Sequence, residues 1–278
     1  MSFLAIIAAF FIEQYKVLST PQKWFRNKIT QYAGFFVNRE FHTVREIRMQ
    51  FLIALIPFVI ATLLLYIMPL ANWHVPYFII NAVLFILSVD ILGWKQEAKH
   101  STKEREYVGF VQSFATNFFA ATFWFILLPS VLGTICYLTL TAMGNLLRSR
   151  GEQSAVYIIV VDKMLFWINL VPYSVLIMFI AIAGDFEEVM HYVVSQRNKV
   201  KVSFYYLENV LSEVAFLAIG KDKFAKTVSR YQDDTIEDYR SNKDKLNPEI
   251  IKYVVALLYR VGIFFISSII IISLVELL

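Results

Sequence analysis

Cysteine occurs once in these 278 residues, at Cys136, which excludes an intrachain disulfide and any cysteine-rich zinc site. Histidine occurs four times (His42, His74, His100 and His191) with no ligand-like spacing. The HExxH, GxxxxGKS/T and GxGxxG patterns are all missing, so zinc-protease, P-loop and Rossmann chemistries have no support. No internal repeat is visible, which disfavours an inverted-repeat transporter. Charge is scarce too: 17% of residues are Asp, Glu, Lys or Arg, where soluble domains carry about 25%. With 58% hydrophobic residues and a mean hydropathy of +0.58, the composition is that of a polytopic membrane protein.

What is present is a series of long apolar runs. Residues Phe51–Leu70, Pro76–Trp94, Phe118–Met143, Ile158–Gly184 and Tyr253–Leu278 each approach the roughly 20 helical residues that cross a hydrocarbon core. Residues Phe3–Leu18 read as a retained, short or tilted first span, because positive charge follows the apolar run and no small-residue cleavage site is clear. The fold class expected is therefore all-α, a transmembrane helical bundle of five or six spans with a cytoplasmic helical segment. Residues 1–183 form the bundle, 184–252 the cytoplasmic segment and 253–278 a C-terminal transmembrane helix. Within the first part, residues 16–50 combine seven Lys/Arg with Trp24, Phe25, Phe35, Phe36 and Phe41, the mixture used by a helix lying on an anionic membrane surface. In the polar segment, Tyr205–Ile219 is apolar enough to pack down on the bundle, and Asn247-Pro248 starts the last helix.

Lys and Arg set the expected orientation. With the amino terminus outside, the links Lys16–Gln50, Lys95–Tyr107 and Asp185–Lys252 hold 7, 4 and 11 of them on the cytoplasmic side, against Arg148 and Arg150 opposite. The last link also holds 12 Asp/Glu, a near-neutral balance that suits a solvated surface better than nucleic acid. The expected partners are membrane lipid and a second copy or another membrane protein, with no nucleic acid and no cofactor.

The run Ile158–Gly184 carries Asp162, Lys163, Asn169 and Pro172 in or near its apolar stretch. Polar side chains there are costly and should face other helices or a wet cavity, and the hydrogen bond that Pro172 removes needs replacement. Gln112, Asn117, Asp162, Asn169 and Arg260 are the residues expected to converge between helices as a ligand-binding polar cluster. Asp90 is a further member, and Asp162 with Arg260 is a natural ion pair. The competing reading sends each to an interface separately. Asp233-Asp234 with Glu237-Asp238 is spaced to hold Mg²⁺ but reads more simply as a solvated helix face, so no metal ligand is assigned.

The stretch Gln112–Leu140, QSFATNFFAATFWFILLPSVLGTICYLTL, resembles the core of the CobD/CbiB superfamily, including its AmpE branch. Ser113, Ala115 and Asn117 match the E-S-x-A-E-N element of the cobalamin branch, and Ala120–Trp124 stands for its A-P-L-F-W. Asp162, Asn169 and Pro172 resemble its D-x(n)-N-x-x-P-x-R element. The two glutamates of that motif are Gln112 and Thr116 here, the N-T-L-D element is Leu138–Thr141, and the arginine is Ser174. The G-D-P and H-P-V elements are missing, with only Thr20-Pro21 near the expected place. The cobalamin branch joins a corrinoid acid to an aminopropanol at the expense of ATP, and holding Mg²⁺-phosphates needs carboxylates that these positions lack. The resemblance implies a non-catalytic, AmpE-like accessory or regulatory protein of the bacterial inner membrane, associated with peptidoglycan turnover and β-lactamase induction. A degenerate adenosylcobinamide-phosphate synthase is the alternative, and a small-molecule transporter a third.

Overall fold

The computed structural model describes residues 19–37, 43–70, 73–90, 104–128, 131–149, 155–196, 203–219 and 248–275. All regular structure among them is helical: α1 (Ser19–Val37), α2 (Val44–Leu70), α3 (His74–Ser88), α4 (Glu104–Ser113), a π-helical segment (Phe114–Ala120), α5 (Ala121–Leu127), α6 (Leu132–Ser149), α7 (Ala155–Ala183), α8 (Phe186–Gln196), α9 (Phe204–Leu217) and α10 (Pro248–Val275). The expected span at residues 3–18 and the acidic run at 233–238 lie outside the described residues.

Four stretches are long and apolar enough to cross a membrane: Val44–Leu65, Gly109–Leu127, Ile159–Ala183 and Ile251–Ile271. They mark the chain as a membrane protein. Helix α2 shows why: Leu52, Ile56, Ile60, Leu63, Leu64 and Ile67 are all exposed and would need lipid to cover them. Helix α3 is apolar but has 15 residues, about 22 Å of rise, less than a hydrocarbon core. It ends at Val89, whose backbone is extended (φ −95°, ψ 129°), so the expected span Pro76–Trp94 is shortened at its far end.

The expected single span Phe118–Met143 is corrected to a helical hairpin. Leu128 leaves the helix with φ −101° and ψ 147°. The cause is in the sequence: Pro129 follows, and proline both lacks an N–H and forces the preceding residue out of the helical region. Helix α6 then folds back on α5. Gly133 makes the close approach possible, since a Cβ there would run into the carbonyl oxygen of Trp124 and lie 2.7 Å from its carbon. Thr134 Oγ1 donates to the Ala121 carbonyl at 3.0 Å across the same contact.

The segment 16–50 likewise divides. Residues 44–50 are the first turns of α2, while α1 is a separate helix that buries Gln22, Ile29, Ala33, Phe36 and Val37 and leaves Lys23, Trp24, Lys28 and Phe35 exposed. Its buried face packs chiefly on α6, with further contacts to α3 and α2.

The chain forms two compact units. The first is Met1–Ile91 with Asn117–Leu170, and the second Leu92–Thr116 with Val171–Leu278. The core of the first holds Phe51, Phe85, Phe118, Phe119, Phe125 and Tyr137, with the Phe85 and Phe125 rings 4.1 Å apart. In the second, α9 buries Phe204, Leu207, Val210, Leu211, Val214 and Ala215 and packs on α4, α8 and α10. The turn into α8 is tight: Gly184 abuts the Ala218 carbonyl, Asp185 N–H donates to that carbonyl at 2.9 Å, and Asp185 Oδ1 accepts from Glu188 N–H at 3.1 Å as an N-cap.

Candidate functional site

The end of α3 is where polar groups gather most densely in the first unit. A helix terminus leaves carbonyls without intrahelical partners, and these must be satisfied from outside when buried. Two side chains of α1, one turn apart, do this. The buried Gln22 amide donates to the carbonyls of Ile86 (2.9 Å) and Val89 (3.0 Å). Arg26 donates to the Ser88 carbonyl at 3.2 Å and to that of Asn117 at 3.4 Å, and lies 3.6 Å from the Asp90 carboxylate. A cation at a helix C-terminus also meets the negative end of the helix dipole.

Asn117 enters this group through its backbone rather than its side chain. It sits in the π-helical segment, whose wider turn loosens the regular ladder and leaves carbonyls to be bonded elsewhere. Its oxygen accepts from Arg26 and from the Asp90 N–H at 3.3 Å. Asn117 and Asp90 are therefore brought together, as expected, but around Arg26. That residue reads in the sequence as one surface cation among several. Its spacing from Gln22 on one helical face is the only signal that both turn inward.

Asn169 is fully buried on α7. Its amide accepts from the Tyr137 hydroxyl at 2.7 Å and donates to the Leu165 carbonyl at 2.9 Å. Asp162, two turns earlier, is bonded by Arg148 at 2.7 Å, with the two side chains 16% and 25% exposed. The partner of Asp162 is thus Arg148 at the end of α6, not Arg260. The two pairs lie along the same α6–α7 contact, about 16 Å apart by residue count on α6.

In the second unit, Gln112 is half-buried on α4. The Thr116 and Tyr173 hydroxyls meet at 2.9 Å, and Tyr173 is itself buried against Phe204 with ring centres 6.0 Å apart. Arg260 is exposed on α10, its Nε directed to the Ala256 carbonyl one turn back at 3.4 Å.

Three buried donors remain. The Thr122 and Thr139 hydroxyls and the Trp124 indole N–H find no hydrogen-bond partner among the described residues, and each would take a water or a polar ligand atom. Among the described residues no three of His, Cys, Asp and Glu stand together as a group able to hold a metal ion. On α1, burial pushes the Tyr32 phenol up, with Cys136 a lesser cause, and its hydroxyl donates to the Ala54 carbonyl at 2.8 Å.

The arrangement is one of helix-to-helix bonds. Arg26 has the chemistry to hold an oxyanion, yet its N–H groups already face two carbonyls and a carboxylate. Asn169 and Asp162 are engaged by neighbouring side chains. No known protein family, curated protein or solved structure matches this chain.

Proposed function

We propose that this protein is a non-catalytic regulatory or accessory protein of the AmpE-like kind, seated in a bacterial cytoplasmic membrane and acting on peptidoglycan-turnover signalling that leads to β-lactamase induction. The observation that carries the reading is the use made of its interior polar groups. Asn169 is spent on Tyr137, Asp162 on Arg148, and the Asn117 carbonyl on Arg26 and Asp90. A synthase of the cobalamin branch would need several groups free to position Mg²⁺ and phosphates, since positioning and charge stabilisation supply most of such catalysis. The two positions matching that branch's glutamates are the uncharged Gln112 and Thr116, and Thr116 is bonded to Tyr173.

Deleting the chain in its host should alter β-lactamase induction by a β-lactam, and a plasmid copy should restore it. Unchanged induction would sink the signalling role. In nanodiscs, the purified protein should form no amide between a corrinoid acid and an aminopropanol with ATP and Mg²⁺. Asp162→Asn should instead loosen helix packing, seen as a lowered unfolding midpoint. Robust amide formation abolished by Asp162→Asn would restore the enzyme.

A further inference from the structure

Charged residues in membrane spans usually sit within reach of an interface, where a long side chain can extend to water. Lys163 is such a case, exposed but only four residues into the span Ile159–Ala183. Arg260 is not. It lies nine residues from one end of the span Ile251–Ile271 and eleven from the other. At 1.5 Å per residue that is about 13 Å and 16 Å. A guanidinium reaches about 7 Å from its backbone, so Arg260 stays inside the hydrocarbon whichever way it turns. Its Nε bond to the Ala256 carbonyl leaves the terminal N–H groups to be satisfied from outside the helix.

The face that carries it differs from a face made for lipid. Helix α2 shows the lipid pattern: Leu52, Ile56, Val59, Leu63 and Ile67 are exposed with no charge among them. On α10 the exposed residues Tyr253, Ala256, Arg260, Ile263 and Phe264 follow a spacing of three and four, the seam along which helices pack. Ala256, one turn from Arg260, is small enough to let a second backbone come close.

We infer that this face of α10 docks against a transmembrane helix of another membrane protein, one carrying an aspartate or glutamate near the bilayer midplane, and that Arg260 pairs with it. The charge selects the partner. Phospholipid phosphates lie at the interface, beyond the reach calculated above. A second copy of this chain supplies no suitable acid: the four spans contain only Glu46 and Asp162, both within three residues of a span end, and Asp162 is held by Arg148. A carboxylate at matched depth on a different protein satisfies the guanidinium with paired hydrogen bonds. Such a helix is required whether the protein regulates or catalyses.

The test places a photoreactive benzoylphenylalanine at Ile263 of the full chain in native membranes and identifies the adducts by mass spectrometry. The expected adduct is a membrane protein whose crosslinked helix holds a mid-span Asp or Glu. Arg260→Leu should lower its yield by about tenfold or more. Arg260→Glu should abolish it, and reversing the partner's carboxylate to Lys should bring it back. The unfolding midpoint of Arg260→Leu in detergent should match the parent, because the side chain is exposed; a lowered midpoint places its partner within this chain and overturns the assignment. Adducts only to lipid, only to a second copy, or to a helix without an acid also overturn it, as does a yield indifferent to Arg260→Leu.

Discussion

Asn169 illustrates how a polar residue is made tolerable in an apolar setting. Both ends of its amide are engaged, one by Tyr137 on the neighbouring helix and one by the Leu165 carbonyl. Removing the tyrosine hydroxyl leaves a buried acceptor without its cross-helix donor. Tyr137→Phe should therefore lower stability by about 1 kcal/mol, in the range for interhelical bonds between membrane helices. Asn169→Leu in the same background should cost less than it does alone, because the partner is already gone. Reversible unfolding of the four proteins of this cycle in detergent measures the coupling, and purely additive losses would show that the bond contributes nothing. The sequence marks Asn169 and Asp162 plainly, since a polar residue in an apolar run has few destinations. It does not mark Tyr137 or Arg148, because which residue faces which depends on the register of two packed helices. Arg26 is harder still: among seven basic residues in one segment, only the packing of α1 shows which one turns inward.

At the scale of elements, the apolar runs locate the helices well and their breaks less well. The stretch Phe118–Met143 is apolar throughout, and a period-based reading carries it across the bilayer as one helix. Pro129 decides otherwise, and close contact at Gly133 stabilises the resulting hairpin. Gly133→Ala would press a methyl group into the Trp124 backbone, which cannot move aside as a side chain tip would. It should lower stability by about 1–3 kcal/mol, the cost of overpacking. Gly109→Ala is the matched control, for nothing lies within 4 Å of a Cβ there. That change should be neutral or stabilising by up to about 1 kcal/mol, because alanine favours the helix. Thermal unfolding of both variants decides the matter, and equal losses at the two positions would refute the close-approach account. The division of residues 16–50 has a related origin. Basic and aromatic composition describes a surface preference, not where one helix stops and the next begins.

For the whole molecule, the uneven distribution of Lys and Arg places Asp185–Lys252 on the cytoplasmic side, as the eleven basic residues of that segment require. With Cys136→Ser as background, a cysteine placed by Ser229→Cys should resist an impermeant maleimide in intact cells and react once the cells are opened. Labelling before opening would invert the orientation. Both compact units draw on separated stretches of chain, and the first is completed only by residues 117–170. This has a consequence for synthesis. Helix α1 finds its main packing surface on α6, which follows it by about 110 residues and emerges on the order of ten seconds later at the ribosome's usual pace. Through that interval its apolar side, with Phe36 and Ile29, must be sheltered by something other than its final neighbour. The newborn chain is therefore most vulnerable before α6 is made, and a ribosome stalled near Pro129 would release a fragment that the cell's quality control should recognise and remove.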